Sequence, residues 1–469
     1  MPEPLLHRLD SGAKLQRVLG LWSAVSIVIG TVIGSGVFLV PSSMIRNVGS
    51  VEKLFVVWIV AGLLSLFGAL TYAELAAAMP EAGGEFVYLS AAYGPFWGFL
   101  YGWTQFWVAK SGSIATLAAG FYTYLTLFFP ALGLPILVLP WHIGPGGALL
   151  EIHYGQLVAI AVILILASVN YVGVRSGGNL QVTVTAVKMA LIAAVIVIGI
   201  FCRQGDYSHL RLHVSSAAGI AGFFAAMVSA LWAYDGWNNV SMVSSEIRDP
   251  GRNLPRSLIL GTVVVIGTYL LINLAYFHVL SPAQVASSHR VAADMMSVLY
   301  GSAAARAITI AVLISIIAAL NGSILSGARV PYAMARDGLF FRSAAEVHPR
   351  FKTPGNSTIL LCFWSCIVVL SGWYDDLYNF VIFGSWILYL LTAVSVFVLR
   401  RKKPELTRPY RVAGYPLVPV LFIAVASLLL ASTIQTRPRE SFMGLGLMAL
   451  GIPFYLFWKK AGNLAPSSK

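Results

Sequence analysis

The chain has 469 residues, of which 58% are hydrophobic and only 10% charged, and its mean hydropathy is +0.80. This composition excludes a soluble globular protein, because such proteins are about 45–50% apolar and about 25% charged. The net charge of +13 would suit a nucleic-acid-binding protein. However, apolar stretches of about 20 residues recur along the whole chain, and that is the length that crosses a bilayer. We therefore expect an all-α polytopic membrane protein.

The hydropathy pattern predicts 12 transmembrane helices separated by short connections. The spans lie at about 18–44, 53–79, 95–129, 155–173, 180–202, 217–246, 257–280, 304–334, 357–371, 376–399, 414–433 and 441–459. The longest connections are expected at about 130–154, 203–216, 281–303 and 335–356. Residues 1–17 are polar and basic, and the first span is too long for a signal-peptide core, so we expect no cleaved signal.

The placement of the positive charges predicts the orientation in the membrane. An even number of spans puts both termini on one side. That side carries 21 of the 31 lysines and arginines, and the other side carries 8. Because cytoplasmic loops hold the excess of lysine and arginine, we expect a multi-pass protein of the plasma or inner cell membrane with both termini cytoplasmic.

Two of the spans contain residues that interrupt a helix. The first includes "GTVIGSGVF", residues 30–38, and each interior glycine costs about 1 kcal/mol relative to alanine. The sixth includes "LWAYDGWNNV", residues 231–240. Unwound backbone is tolerated in a membrane only where it is buried in protein or lines a cavity. Gly30 and Gly34 also form a GxxxG pattern, so close helix packing is the alternative explanation of the first motif.

The two interruptions predict an internal repeat. They lie five spans apart, so each would occupy the first helix of a five-helix unit, and an odd number of spans inverts the second unit. Paired interrupted helices point to the central site of a transporter. The expected organisation is an N-terminal tail at 1–17, a first unit at 18–202, a second unit at 217–399, helices 11 and 12 at 414–459 and a C-terminal tail at 460–469.

The ends of the broken helices predict what the site binds. A half-helix that begins near Gly36 points free N–H groups and a partial positive charge into the gap, which suits a carboxylate. A half-helix that ends between Trp232 and Asp235 presents free carbonyl groups, which suit an ammonium group. A site with both ends is suited to a zwitterionic α-amino acid.

Four ionisable residues within the spans have open interpretations. Asp235 is a functional candidate because carboxylates inside membranes are costly, or it is a buried acid paired with a hydroxyl or a lysine. Lys188 either joins carbonyls of the broken helices in the place of a sodium ion, or carries protons, or extends to the interface. Lys110 either extends to the interface or pairs with backbone. His278 is either a core histidine or a proton relay.

The other polar candidates suggest structure rather than chemistry. Glu74, Glu246 and Arg329 lie near cytoplasmic ends and are expected to be interfacial anchors or gate pairs. The chain has three cysteines, and two of them are four residues apart in an apolar span without histidine or acidic neighbours, so they are expected to be packing residues. We expect no metal site, no cofactor, no catalytic residues and no disulfide framework.

Several motifs in order resemble the L-type amino acid transporters of the amino acid–polyamine–organocation superfamily. They are "GTVIGSGVFLVP", "LWAYDGWNN", "EIRDPGRNLPRS", "LNGSILSGARVPYAMARDGLF" and "KPELTRPYRVAGYPLVPV". The resemblance extends from about residue 15 to 425. It implies 12 helices in a five-plus-five inverted fold, with helices 1 and 6 unwound at mid-membrane, and exchange of one amino acid for another.

The resemblance also assigns roles to residues. It implies that Ser35 and Gly36 bind the substrate carboxylate, that Gly34 allows close approach and that Asn238 assists. Carbonyls of Val32, Trp232 and Asp235 would accept from the ammonium group. Trp232 would be an aromatic gate, and Lys188 would replace the sodium ion of sodium-coupled relatives in a coupling role. The full set of expected substrate-binding residues is Val32, Ile33, Gly34, Ser35, Gly36, Trp232, Ala233, Tyr234, Asp235 and Asn238.

The sequence departs from the family pattern in two places. Ala319 stands where a hydroxyl residue is usual, so the resemblance leaves Lys188 without its usual partner. Animal members carry a cysteine after helix three that links a glycoprotein heavy chain, and residues 130–154 contain none. We therefore expect a bacterial-type member without a disulfide-linked heavy chain, whose partners are L-amino acid substrates and the lipid bilayer, and no nucleic acid.

The resulting expectation is a sodium-independent exchanger of small to medium neutral L-amino acids that works by alternating access. The alternatives are a proton-coupled amino acid symporter of the same fold, with Lys188 or His278 titrating, and a membrane sensor that binds amino acids without transporting them. An intramembrane enzyme is disfavoured, because no histidine, cysteine or serine constellation accompanies a catalytic base.

Overall fold

The computed structural model describes residues 14–140, 149–214, 219–372, 374–436 and 438–460, and the account below is confined to these. The predicted tails at 1–17 and 460–469 lie outside the described residues apart from 14–17 and Lys460. The helices of the first half are α1 (Leu21–Val32), α2 (Gly36–Val48), α3 (Val51–Ala78), α4 (Glu85–Tyr93), α5 (Pro95–Thr104), α6 (Lys110–Leu125), α7 (Tyr154–Val172) and α8 (Val174–Phe201).

The second half is also helical. Its helices are α9 (Gly219–Tyr234), α10 (Asn239–Met242), α11 (Pro250–Val279), α12 (Pro282–Ser287), α13 (Val291–Gly327), α14 (Arg329–Arg336), α15 (Gly355–Ser371), α16 (Tyr374–Lys402), α17 (Leu417–Thr436), α18 (Pro438–Ala449) and α19 (Gly451–Lys460). Short 3-10 helices occur at Pro130–Gly133, Tyr207–Arg211, Ser244–Glu246 and Arg342–Ala345.

The prediction of an all-α polytopic membrane protein is confirmed. Eight helices of the described chain are long and apolar enough to cross a membrane, and the bent pair α1–α2 would be a ninth. Two shorter apolar helices, α9 and α15, fall on predicted spans as well. Each of the 12 predicted spans coincides with one helix or a run of adjoining helices, while the count of 12 crossings stays a prediction.

Two of the predicted connections contain regular structure. The segment 130–154 was expected to be a plain connection, but it holds an antiparallel hairpin of β1 (Pro135–Leu139) and β2 (Leu150–His153). The sequence of β1, "PILVL", is apolar and β-branched, which favours a strand. The segment 281–303 is largely helical, because α12 and the start of α13 lie in it, and Gly301 at φ +78° kinks α13 where the predicted span was expected to begin.

Both predicted interruptions are present. α1 ends at Val32 and α2 begins at Gly36, with a bend of 43° between them. α9 ends at Tyr234, and a turn over 235–238 precedes α10. Gly236 in this turn has φ +104°, a conformation that glycine adopts without the steric cost of a side chain.

A third interruption was not predicted. The span 95–129 consists of α5 and α6 joined by a π-helical segment, Gln105–Ala109, in which the Lys110 N–H donates to the Gln105 carbonyl. Single π-helical turns within α-helices occur frequently at functional sites.

The broken helices are surrounded by long, continuous helices. α1 packs against α11, α8 and α13, and α2 packs against α9, while α3 packs against α9 and α11. A buried aromatic cluster joins three of these helices. The Tyr269 ring of α11 lies 5.1 Å from Trp58 of α3 and 4.9 Å from Tyr234 of α9. The site described next therefore lies in the packed interior of the helix bundle.

Candidate functional site

The two interruptions lie side by side. The Tyr269 hydroxyl lies 2.6 Å from the Ala233 carbonyl oxygen in one break and 3.2 Å from the Val32 carbonyl oxygen in the other. The Thr31 hydroxyl lies 3.0 Å from the Gly236 carbonyl oxygen. The two breaks therefore meet through hydroxyl groups, which lie within hydrogen-bond distance of carbonyl oxygens where the helical hydrogen bonds are interrupted.

The start of α2 presents unused donors. The amides of Ser35, Gly36 and Val37 have no acceptor among the described residues, whereas the amide of Phe38 donates to the Ser35 carbonyl at 3.1 Å. This is the expected state of the first residues of a helix, whose N–H groups lack intrahelical partners. Together with the partial positive charge of a helix N-terminus, it makes this turn suited to an anion.

The space around this turn is narrow. A Cβ atom added at Gly36 would lie 3.1 Å from the Cα and Cβ atoms of Ala233, which is tighter than ordinary contact. A Cβ atom at Gly34 would lie 3.6 Å from Leu117 and 3.7 Å from Ala319, which is ordinary van der Waals contact. Close approach of the two broken helices therefore requires glycine at Gly36, and it tolerates a methyl group at Gly34.

Lys188 occupies the carbonyl end of α1. Its ammonium donates to the Gly30 carbonyl at 3.0 Å and to the Ile33 carbonyl at 2.6 Å. The side chain is only 1% exposed, so it does not extend to the interface. The Lys188 ammonium therefore binds carbonyls that α1 leaves without helical partners, and its role in the place of a sodium ion stays a prediction.

The hydroxyl missing at Ala319 is supplied one turn earlier in α13. The Ser315 hydroxyl lies 3.0 Å from the Ile33 carbonyl oxygen and 3.2 Å from the Gly34 carbonyl oxygen. Residues four apart lie on the same face of a helix. Lys188 and Ser315 thus share the Ile33 carbonyl, which answers the question raised by Ala319.

Asp235 faces a cavity. Its side chain is exposed, although it lies deep in the bundle, because it forms part of the wall of a cavity of about 60 Å³. The Tyr389 hydroxyl of α16 donates to Asp235 Oδ1 at 2.9 Å. This volume holds several water molecules. Polar and apolar surfaces both contribute to its walls, which comprise Thr31, Gln105, Ala109, Lys110, Ser113, Leu231, Trp232, Asp235, Gly236, Asn239, Ser323, Ser385, Trp386 and Tyr389.

Lys110 also belongs to this cavity. It is only 8% exposed, and its ammonium donates to the Asn239 side-chain carbonyl. The interpretations of Lys110 as an interfacial lysine or as a partner of backbone are therefore wrong. The π-helical segment that precedes it has no evident sequence signature, which is why a lone lysine in an apolar span did not identify this position.

A second buried carboxylate lies beside the sixth-span break and was not singled out from the sequence. Glu85 is fully buried, and it accepts from Tyr101 at 2.9 Å and from the Asn238 side-chain amide. The Ser241 hydroxyl lies 3.4 Å away. Asn238, expected to assist at the substrate carboxylate, therefore donates to Glu85, and its role in binding stays a prediction.

The carbonyl oxygens expected to accept from the substrate ammonium differ in their surroundings. That of Trp232 accepts from the Asp235 amide at 3.1 Å. That of Val32 lies near the Tyr269 hydroxyl, which is closer to Ala233. The Val32 oxygen also accepts from the Gly34 amide at 2.9 Å. Because a carbonyl oxygen has two lone pairs, a substrate ammonium at Val32 would have to displace the Tyr269 hydroxyl. Trp232 is half-buried in the cavity wall, and its ring lies close to Gly36.

The remaining ionisable candidates lie away from the cavity. Arg329 and Glu246 form a bidentate ion pair at 2.8 Å with both side chains fully buried. Glu74 binds Arg400 at 2.6 Å. His278 is buried, with Nδ1 2.8 Å from the Gly199 carbonyl oxygen, which fits a core histidine. The described residues contain no cluster of histidine, cysteine or acidic side chains that could hold a metal ion.

Comparison with known proteins identifies the family. A family model described as amino acid permease matches residues 19–450. The serine/threonine exchanger SteT of Bacillus subtilis (strain 168) is 32% identical over 458 residues, which cover 97% of this chain and 99% of the relative.

Two animal proteins are similar over nearly the same length. The b(0,+)-type amino acid transporter 1 of Mus musculus is 31% identical over 449 residues, 95% of this chain and 88% of the relative. The large neutral amino acids transporter small subunit 2 of Homo sapiens is 30% identical over 463 residues, 96% of this chain and 82% of the relative. The chain belongs to the amino acid permease family, and these relatives confirm the resemblance to its L-type amino acid transporters.

Proposed function

We propose that this protein exchanges L-amino acids across a cell membrane without sodium, by exposing one central site alternately to the two sides. The observation that carries the proposal is the contact between the two breaks, with unused amide donors at the start of α2. Interrupted helices in corresponding positions are typical of transporters whose substrate binds near the membrane centre.

The backbone ends would bind the groups that all amino acids share. The amides of Ser35, Gly36 and Val37 would donate to the α-carboxylate, and Gly36 would let the substrate and α9 come close to this turn. Carbonyl oxygens of Val32, Trp232 and Asp235 would accept from the α-ammonium. Backbone groups contribute fixed partial charges, and no protein side chain has to be ordered to bind the substrate. Binding of the α-groups therefore does not depend on the side chain of the substrate.

Lys188 supports independence from sodium. Its ammonium already binds the carbonyls of Gly30 and Ile33. A sodium ion at the same oxygens would be repelled by the positive charge of Lys188. The broken helix is therefore bound by an ammonium group of the protein itself. We infer that the conformational cycle is driven by the substrate rather than by binding and release of sodium.

The substrates would be small to medium neutral amino acids. One bacterial relative carries the name of a serine/threonine exchanger, and others carry the names of amino acid transporters of b(0,+) and large neutral type. The cavity beside Asp235 is small, at about 60 Å³, and its walls carry both polar and apolar side chains. A short side chain fits it better than a bulky apolar one.

The wider expectations remain part of the proposal. The five-plus-five organisation at 18–202 and 217–399, the cytoplasmic placement of both termini and the plasma or inner cell membrane location follow from the spacing of the breaks and the positive charges. The absence of cysteine from 130–154 supports a transporter that works without a disulfide-linked heavy chain.

Reconstitution in proteoliposomes tests the proposal. Vesicles preloaded with labelled serine should release it when unlabelled serine or alanine is added outside, in choline as well as in sodium buffer. Protein-free vesicles and a buffer without external amino acid are the controls. Concentrative uptake into empty vesicles driven by a pH gradient would contradict exchange and support the proton-coupled symporter. Saturable binding without flux in either direction would indicate a sensor.

A further inference from the structure

Two polar side chains of the cavity wall have no role in the site so far. Gln105 begins the π-helical segment, Lys110 follows it, and the i→i+5 hydrogen bond between their backbones puts them on successive turns. Both line the cavity next to Asp235. They come from the third predicted span, whereas the backbone groups proposed for the α-carboxylate and α-ammonium come from the first and sixth.

The Lys110 ammonium has unused donors. An ammonium group carries three N–H donors, and one of them goes to the Asn239 side chain. Within the described chain it makes no other hydrogen bond and no salt bridge, although Asp235 and Glu85 both act on it electrostatically. Lys110 is only 8% exposed, so its ammonium lies away from bulk water. An acceptor in the cavity would therefore satisfy one of its unused N–H donors.

Gln105 offers the complementary group. Its side chain is 3% exposed, and its Oε1 is buried without a donor in the part of the chain that is described. An unpaired buried polar atom is costly unless a partner reaches it. The same stretch of wall therefore carries an unused donor at Lys110 and an unused acceptor at Gln105.

A donor and an acceptor on the wall of one cavity match a hydroxyl group. A hydroxyl accepts and donates at the same time, so it can pair with both residues. A methyl group in the same position would leave both unpaired. A carboxylate would accept from Lys110, but it could not donate to Gln105, and it would add a third negative charge to Asp235 and Glu85 around a single lysine.

We propose that Lys110 and Gln105 form a side-chain subsite that selects amino acids bearing a hydroxyl group. The inference rests on the proposed function, because it requires the common α-groups to bind at the two breaks and the side chain to point toward α5 and α6. A site built to hydrogen-bond a substrate hydroxyl strongly rejects the isosteric analogue that lacks it.

The wild-type protein gives the first test, with no risk of misfolding. Inhibition of labelled serine exchange is measured for two isosteric pairs, threonine with valine and serine with 2-aminobutyrate. We expect each hydroxyl compound to compete at least about tenfold better than its methyl counterpart, since hydrogen bonds to charged groups are worth about 1.5–3 kcal/mol. Equal inhibition within a pair would overturn the subsite.

Variants assign the preference to residues. Lys110→Met and Gln105→Leu should each lower the affinity for threonine about tenfold and leave that for valine unchanged, so that the preference disappears. Lys53→Met, at an exposed position of α3, should keep the preference for threonine over valine. Equal losses for threonine and valine in Lys110→Met would mean that the lysine holds a group common to all substrates, and would overturn the proposal.

The inference and the proposed function fail in different ways. Exchange of amino acids without discrimination between hydroxyl and methyl side chains contradicts only the subsite. Absence of exchange with every amino acid tested, in wild-type protein that elutes as a single species in detergent, contradicts the proposed function. If Lys110→Met is not recovered folded, the isosteric pairs and Gln105→Leu decide the question.

Discussion

Gly36 is the residue at which the first broken helix comes closest to the second. An added Cβ atom would lie 3.1 Å from two atoms of Ala233, so the backbones must separate to admit it. We expect Gly36→Ala to reduce exchange at least tenfold, because the separation disturbs both the amides of α2 and the wall that faces them. Gly34→Ala should cost less, because its Cβ atom meets only ordinary contacts.

The measurement for these glycines is initial exchange rate divided by the amount of protein in the vesicles. Gly120→Ala in α6 is the matched control, because an added Cβ atom there would meet only Ile316 at 3.9 Å. Equal rates for Gly36→Ala and Gly120→Ala would show that close approach at α2 is not needed for transport.

Lys188 and Asp235 are expected to have separable roles. Lys188→Ala leaves the Gly30 carbonyl without a donor, at about 1–3 kcal/mol for a buried unsatisfied group, and leaves the Ile33 carbonyl with Ser315 alone. It should therefore slow exchange far more than it weakens binding. Asp235→Asn keeps an oxygen that accepts from Tyr389, so it should shift substrate preference modestly and leave exchange intact. Binding measured by thermal shift and turnover measured by exchange distinguish the two. Equal losses of affinity and rate in both variants would contradict the separation.

At the scale of elements, Tyr269 is one of the direct links between the two breaks. Its hydroxyl lies 2.6 Å from the Ala233 carbonyl oxygen and 3.2 Å from that of Val32, so α11 connects the ends of α1 and α9. We expect Tyr269→Phe to lower the free energy of unfolding by about 1–3 kcal/mol and to slow exchange. The melting temperature in detergent tests this, with exposed Tyr300→Phe as control. An unchanged melting temperature and rate would mean that the link is dispensable.

A buried ion pair holds the other end of the sixth-span break. Glu246 follows α10, and Arg329 begins α14, with both side chains fully buried. Removing one partner of a buried pair leaves an uncompensated charge and costs about 3–5 kcal/mol. We expect Arg329→Met to lower the melting temperature markedly, whereas Glu52→Gln at an exposed position of α3 does not. If Arg329→Met melted like the wild type, the pair would not stabilise this structure.

The elements differ in how far the sequence predicts them. Both breaks are predictable, because the glycines near Gly34 and the polar residues near Asp235 weaken a helix in an apolar span. The position of Lys110 is not predictable in the same way, because a lone lysine is compatible with several environments, and the π-helical turn before it has no evident signature. Ser315 and Tyr269 are ordinary in sequence, and only the packing of α13 and α11 brings them to the broken backbone.

At the scale of the whole molecule, the two breaks lie between helices from both halves of the chain. α1 packs against α8, α11 and α13, so a movement of one half of the chain relative to the other would change the surroundings of the same backbone groups. This is the arrangement expected for alternating access around a fixed site. Lys188 stays with the protein, so the empty site has no cation to release. We therefore expect the carrier to reorient only when a substrate is bound.

Exchange requires that the carrier reorients only with an amino acid bound, and dual-label exchange measures this. Proteoliposomes are loaded with tritiated serine and placed in carbon-14 serine without sodium, and both labels are followed at the same time. We expect one molecule to be released for each one taken up, and almost no release when external amino acid is omitted. Release that proceeds at the same rate without external amino acid would contradict it.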